Sequence, residues 1–223
     1  DWYAAHGIRL ITGTAVTVLD PSGHAVALAD GTPIGYDAVL LATGATPRML
    51  PLPGHELPGV MTLRRLDDSD ALAEQIRGGG RRLAVIGAGW IGMEAAATAR
   101  TLGNEATILE RDAVPLGAAL GREMGEVFRA LHLEHGVDVR TSVGVERITG
   151  GDRADGVVVD GGTIAADIVL VGVGASPNTA LAEQAGLEIR NGIVTDAALR
   201  TGAPDVFAAG DVANAFHPVL RQH

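Results

Sequence analysis

The sequence predicts an α/β fold in which one complete parallel-sheet unit is joined to part of a second unit of the same plan. Three observations predict it: a composition suited to more than one apolar core, an internal repeat, and a glycine-rich turn between a buried strand and an alanine-rich helix. The 223 residues are 47% hydrophobic and 20% charged, with 3% aromatic side chains, the make-up of a globular chain and not of a disordered one. No apolar run approaches the roughly 18 residues that could span a bilayer. Asp1-Trp2-Tyr3 lacks the basic-then-apolar pattern of a secretory leader, so a soluble, cytoplasmic protein is expected.

Missing residue types narrow the chemistry. There is no cysteine, which removes thiolate nucleophiles, redox disulfides and cysteine-ligated zinc or iron-sulfur centres from this chain. All 17 basic residues are arginine, so neither a Schiff-base lysine nor a P-loop lysine is available. A formal charge of −10 argues against a nucleic-acid partner, whose phosphates would be repelled.

The repeat joins Asp30 to Pro47, DGTPIGYDAVLLATGATP, with Asp160 to Pro177, DGGTIAADIVLVGVGASP. Without gaps, Asp30, Gly31, Ile34, Asp37, Val39, Leu40, Gly44, Ala45 and Pro47 meet identical residues 130 positions later. Each copy reads as a turn, an Asp, a buried strand and a glycine-rich exit of small side chains. Ligands of open α/β sheets sit at the carboxyl ends of strands, where a bulky side chain would block them, so each copy forms one edge of a ligand cleft. Convergence of two ordinary buried strands is the plainer alternative, since short apolar runs recur freely.

Upstream of the second copy stands RLAVIGAGWIGMEAA: a strand from Leu83 to Ile86, the turn Gly87-x-Gly89-x-x-Gly92, and a helix beginning near Trp90. A lone glycine fingerprint is weak evidence, and the strand before it and the helix after it supply the context that gives it meaning. Gly87 permits the tight turn, Gly89 lets a pyrophosphate approach the backbone, and Gly92 lets the helix pack on the strand. Unpaired N–H groups at the helix start, around Trp90 and Ile91, then face the phosphates. A second strand, ATILE, ends at Glu110, eighteen residues after Gly92, where a carboxylate can hydrogen-bond both hydroxyls of an adenosine ribose. The result is a Rossmann-like, NAD-binding domain. Glu110 favours NAD over NADP, with Arg111 beside it as the feature that keeps a 2′-phosphate open. Glycines kept for helix packing alone would be the non-binding reading. Glu94 has two readings, a carboxylate complementing the helix dipole or a group reaching across the cleft to the nicotinamide. No comparable glycine turn fits ahead of the first copy; it should have preceded Asp1, so the chain is expected to be a fragment.

Four stretches together carry a family pattern: GAGWIGMEAA, the link LPGVMTLRRLDDSDAL from Leu57 to Leu72, LLATGATPR, and DVFAAGDVAN from Asp205 to Asn214. They make the chain resemble the FAD-dependent pyridine nucleotide-disulfide oxidoreductase superfamily, and within it the ferredoxin and rubredoxin reductases of oxygenase electron chains. The resemblance runs through the whole chain in order. It implies an NAD-binding domain, a parallel sheet plus a β-meander, inserted in an incomplete FAD-binding domain of the same type. Residues 1–57 would be the partial FAD-binding domain, with a hairpin arm around Asp20-Pro21-Ser22-Gly23. Residues 58–180 would be the NAD-binding domain, and residues 181–223 a truncated return to the FAD-binding domain.

Carried over by position, the resemblance implies that Thr43 and Gly44 lie against FAD with Pro47 and Arg48 nearby, and that Asp211 bonds the flavin ribitol. The residues around Asp211 also allow a helix N-cap. Glu94 would contact the nicotinamide, and Gly172, Val173 and Gly174 would line the NAD cleft. The implied reaction is hydride transfer from NADH to FAD, followed by single-electron steps to a ferredoxin- or rubredoxin-type iron-sulfur protein, with the polypeptide supplying position and dryness. The family's FAD-adenosine turn and C-terminal interface domain are lacking, so the isolated chain is expected to hold FAD weakly or not at all and to be inactive. Two alternatives stay open: an NADH oxidase, peroxidase or disulfide reductase on the same scaffold, or a non-catalytic NAD(H)-binding module. The Leu63-Arg64-Arg65 and Asp67-Asp68-Ser69-Asp70 link favours the ferredoxin-reductase branch.

Two further features read as surface. His132 and His135 are three apart with no third ligand at useful spacing, so no metal site is expected and a solvated helix face is the reading. Arg64, Arg65, Arg77, Arg81 and Arg82 form a locally basic stretch that is either solvated or able to steer an acidic ferredoxin.

Overall fold

A computed structural model describes residues 2–223. The chain divides into two units, one of residues up to Thr46 and from Ser176 onward, the other Pro47–Ala175.

The first unit opens with a short exposed helix, α1 (Trp2–Ala5), and an antiparallel meander of β1 (Val16–Asp20), β2 (Ala25–Leu28) and β3 (Pro33–Gly35). The arm turn forms because Asp20 Oδ1 accepts the N–H groups of Ser22 and Gly23 at 3.0 and 2.9 Å, a side chain taking the part of a backbone carbonyl. β4 (Val39–Leu41) follows, and β5 (Ala45–Pro47) leaves the unit.

The second unit runs β6 (Val60–Met61), α2 (Leu66–Ile76), β7 (Arg82–Ile86), α3 (Trp90–Thr101), β8 (Glu105–Leu109), α4 (Gly117–Glu134) and β9 (Asp138–Arg140). A second meander, β10 (Val145–Gly150), β11 (Ala154–Val159) and β12 (Gly162–Ala165), precedes β13 (Ile168–Val171) and the exit strand β14 (Ala175–Pro177). Its central sheet is wholly parallel in the order β6-β13-β7-β8-β9. β7 and β13 are near-continuous apolar runs because both faces are covered. Leu83, Val85, Ile168 and Leu170 point into a core with Leu72 and Ile76 of α2 and Met93, Ala96 and Ala99 of α3. The alternate residues Ala84, Ile86, Val169 and Val171 meet Ile148, Val157 and Ile164 of the meander. Two polar groups set the amino ends of the strands. Asn104, fully buried, donates to the carbonyls of Ile76 and Ala99 and accepts the Arg81 N–H. Asp167 accepts the Arg82 N–H at 2.9 Å and the Arg82 Nη2 at 2.6 Å, holding β13 to β7.

The chain then returns through α5 (Ala180–Gln184), β15 (Ile193–Thr195), β16 (Val206–Ala208), a 3-10 turn at Gly210–Val212, and β17 (Ala213–Ala215). β16 pairs in parallel with β4, and β15 with β17. Leu19, Leu41, Ile193, Val206 and Val212 form this unit's core.

β1 to β5 correspond strand for strand to β10 to β14, which extends the repeat upstream over the whole meander. The passages between units fall at Pro47 and Ala175, ahead of the 57 and 180 read from sequence. Leu50 and Leu57 pack on the meander-side core and Ile148 donates to the Pro53 carbonyl, which places that stretch in the second unit. Within α4, Gly121 is non-helical at φ 77° and ψ 175°, so a first short turn from Gly117 is separated by a kink from the long helical run that follows.

Candidate functional site

The Gly87–Gly92 turn leaves β7 and enters α3, and each glycine has a separate reason. Gly87 has φ +103°, and a Cβ there would stand 2.5 Å from the Gly172 carbonyl oxygen. A Cβ on Gly92 would strike the Gly87 carbonyl oxygen and lie 2.9 Å from Val85 Cγ1, so this glycine sets how closely α3 approaches β7. Gly89 is different. Its φ is −79°, and a Cβ would meet no protein atom nearer than the Gly172 oxygen at 3.9 Å. The described residues do not require glycine at 89, and its bare backbone leaves room for a group brought up from outside. The first intrahelical bond runs from Met93 N–H to the Gly89 carbonyl, which leaves the N–H groups of Trp90, Ile91 and Gly92 without partners inside the helix. A diphosphate fits that cradle.

Glu110 stands just beyond the carboxyl end of β8. Its Oε2 accepts the Ala88 N–H at 2.6 Å and its Oε1 the Asp112 N–H at 2.8 Å. Arg111 is exposed. Gly172, Val173 and Gly174 follow β13; Gly172 donates to the Ile86 carbonyl, and Gly174, with φ +97°, accepts the Arg48 N–H. Glu94 is exposed on α3, where it borders a cleft of about 230 Å³ with Leu63, Ser69, Ile91 and Thr98. All of these residues belong to the second unit, and the turn, Glu110 and Gly172–Gly174 stand at the carboxyl ends of the adjacent strands β7, β8 and β13.

In the first unit, Thr43 and Gly44 follow β4 and Asp211 follows β16, at the carboxyl ends of two paired strands; Ala209 N–H donates to the Leu41 carbonyl. The residues present fit part of a flavin site, one sheet edge lined by small side chains and a carboxylate. The Thr43 hydroxyl is turned to the Asn178 carbonyl at 2.8 Å. Asp211 is no helix N-cap: it lies within the 3-10 turn, Ala209 caps that turn, and Ala213–Ala215 is a strand.

Sequence reasoning missed Asn178. Its Nδ2 donates to the Thr43 carbonyl, its Oδ1 accepts from the Thr46 hydroxyl and its N–H donates to the Gly44 carbonyl, bracing the first glycine exit. The signal available was the end of the repeat, where Pro47 is followed by Arg48 and Pro177 by Asn178. Of the two histidines, His135 is exposed as expected and His132 differs. His132 is half-buried, with Nδ1 2.9 Å from the Phe128 carbonyl and Nε2 3.2 Å from the Met93 carbonyl, so it ties α4 to α3 and is not part of a solvated face. The arginines do not form one patch: Arg64 and Arg65 precede α2, Arg77 and Arg81 follow it, and Arg82 is bound to Asp167. At the start of α2 the Arg65 and Arg64 N–H groups hold the Asp68 carboxyl below its ordinary range.

Residues 3–223 match the family model described as pyridine nucleotide-disulphide oxidoreductase. A benzene 1,2-dioxygenase system ferredoxin–NAD(+) reductase subunit of Pseudomonas putida is 44% identical over 96% of this chain and 52% of its own length. A crystal structure of a ferredoxin reductase from Rhodopseudomonas palustris superposes with a TM-score of 0.93 at 37% identity, over 99% of this chain and 55% of that one. A covalent putidaredoxin reductase–putidaredoxin complex superposes with a TM-score of 0.94 at 34% identity, over all of this chain and 55% of that one. The chain spans about half the length of the curated relatives it matches.

Proposed function

The chain belongs to the pyridine nucleotide-disulphide oxidoreductase family, and on that premise we propose that it holds NADH on the Gly87–Gly92 turn, within a flavoprotein reductase passing electrons from NADH through FAD to a ferredoxin- or rubredoxin-type iron-sulfur protein. Gly89 carries the NADH reading, because within the turn it is the glycine whose missing side chain relieves no clash with a described residue. The N–H groups of Trp90, Ile91 and Gly92 receive the pyrophosphate, Glu110 the adenosine ribose, and Glu94 the nicotinamide carboxamide. Gly172, Val173 and Gly174 keep that wall of the cleft low. In the other unit Thr43 and Gly44 take the flavin and Asp211 its ribitol.

FAD, when bound, supplies the hydride acceptor and the relay to single electrons. The residues of this chain bind and orient the nucleotide, and no side chain is required as a general acid or base. The ferredoxin reductases among its relatives support the choice of acceptor. The reaction is assigned to the cytoplasm, where NADH is generated.

The test is a fluorescence titration of the chain with NADH, with flavin absorbance read after purification and after added FAD. NADH should bind saturably and NADPH far more weakly. Gly89→Val should abolish binding by crowding the pyrophosphate while leaving the melting temperature in place. Unchanged affinity in Gly89→Val would remove the site.

A further inference from the structure

We propose that Glu110 is a positioning residue for the glycine turn as well as a ribose ligand, its carboxylate latching the turn in its binding shape before any dinucleotide arrives. The proposal rests on the NADH reading and adds a role that acts through Ala88. Ala88 is buried between two glycines that offer no side chain to fix the turn. Its N–H donates to Glu110 Oε2 at 2.6 Å, and its carbonyl accepts the Leu116 N–H at 3.0 Å. The peptide groups on both sides of Ala88 are thus held by one segment, residues 110–116. The far oxygen of Glu110 accepts the Asp112 N–H at 2.8 Å, which orders that segment in turn. Bonds from N–H groups to a carboxylate are the stronger kind.

The acceptor count explains why the residue is a glutamate. A carboxylate offers about four lone-pair sites. The two backbone donors use one on each oxygen, leaving one on each for the 2′ and 3′ hydroxyls of an adenosine ribose. Glutamine has the same shape, but its NH₂ would set a donor against the N–H of Ala88 or of Asp112. Aspartate falls one methylene short. Glu110 can therefore hold the turn and the ribose at once.

Two measurements decide it. In the ligand-free chain, the Ala88 and Asp112 amides should exchange with deuterium at least about tenfold more slowly than the Gly89 amide, the order expected for a charge-assisted bond; equal rates overturn the latch. NADH and its analogue lacking both hydroxyls on the adenosine ribose are then titrated into the chain and into Glu110→Gln. Weakening of the analogue by about tenfold or more, with faster Ala88 exchange in the variant, supports action through the turn. If only NADH is weakened and the analogue binds as before, Glu110 touches the ribose alone and the inference falls. Failure of the unsubstituted chain to bind either ligand counts against the NADH reading, and the exchange rates then decide the latch. They also decide it if Glu110→Gln does not fold.

Discussion

Residues 16–47 and 145–177 share one plan, a three-stranded meander, a parallel strand and a crossing strand, yet the middle of each is stabilised differently. In the later copy β13 lies between β6 and β7, and Leu170 is fully buried. In the earlier copy, among the described residues, β4 pairs with β16 alone, and Leu40, at the matching position, is 57% exposed. Leu40 stands opposite Phe207 as Leu170 stands opposite Met61, so β16 is to β4 what β6 is to β13. Beside β4, no described strand takes the place that β7 and its glycine turn take beside β13. A residue's identity sets its strand and register, and the neighbours decide what the residue contributes.

Substitutions at paired positions sharpen that contrast. The largest effect belongs to Leu170→Ala, which should cost about 2–5 kcal/mol by leaving a cavity between α3 and the sheet, read as a lowered urea midpoint. A loss no greater than that of Leu40→Ala would break the comparison.

The aspartates at the next paired position come second. Asp167→Asn should cost about 1–3 kcal/mol by leaving Arg82 without its carboxylate, whereas Asp37, exposed and bonded to no described residue, should tolerate the same change. Arg82, through its side-chain hydrogen bond, holds the Asp167 carboxyl below the ordinary aspartate value of 3.8. A depressed folded value means that the stabilisation is present above the ordinary value and is lost as acid protonates the folded carboxyl below it. The wild-type chain should therefore lose stability more steeply than Asp167→Asn between about pH 4 and pH 2, in thermal melts across that range.

Asn178→Ala comes third. It removes the bonds to the Thr43 carbonyl and the Thr46 hydroxyl, with an expected loss of about 1 kcal/mol and faster proteolysis around Gly44. The smallest effect is Leu40→Ala, within about 0.5 kcal/mol as for surface changes in general. A loss approaching that of Leu170→Ala would mean that β4 is covered in solution.

Much of this was legible in the residues. The repeat foretold the matching strands, and the turn between RLAVI and WIGMEAA foretold the junction of β7 and α3, because glycine spacing and buried apolar runs are local signals. The illegible parts depend on chain geometry. That Glu110 reaches back to Ala88, or that Asn178 braces Thr43 from 135 positions away, follows from strand order in space. The passage at Pro47 is not legible because the apolar Leu50 and Leu57 carry no mark of which core receives them. His132 looked solvated because its partners are backbone carbonyls, which have no sequence signature.

The N–H of Arg48 donates to the carbonyl of Gly174 at 2.9 Å, so the Pro47–Ala175 unit begins and ends at one doorway. To the rest of the polypeptide, that long insertion behaves as a loop whose ends are already closed, and the entropy of closing it is met by the insertion's own folding. Melting the insertion first would hand its host a long slack tether. Transplanting it between these two residues into another protein's surface turn would disturb that protein little.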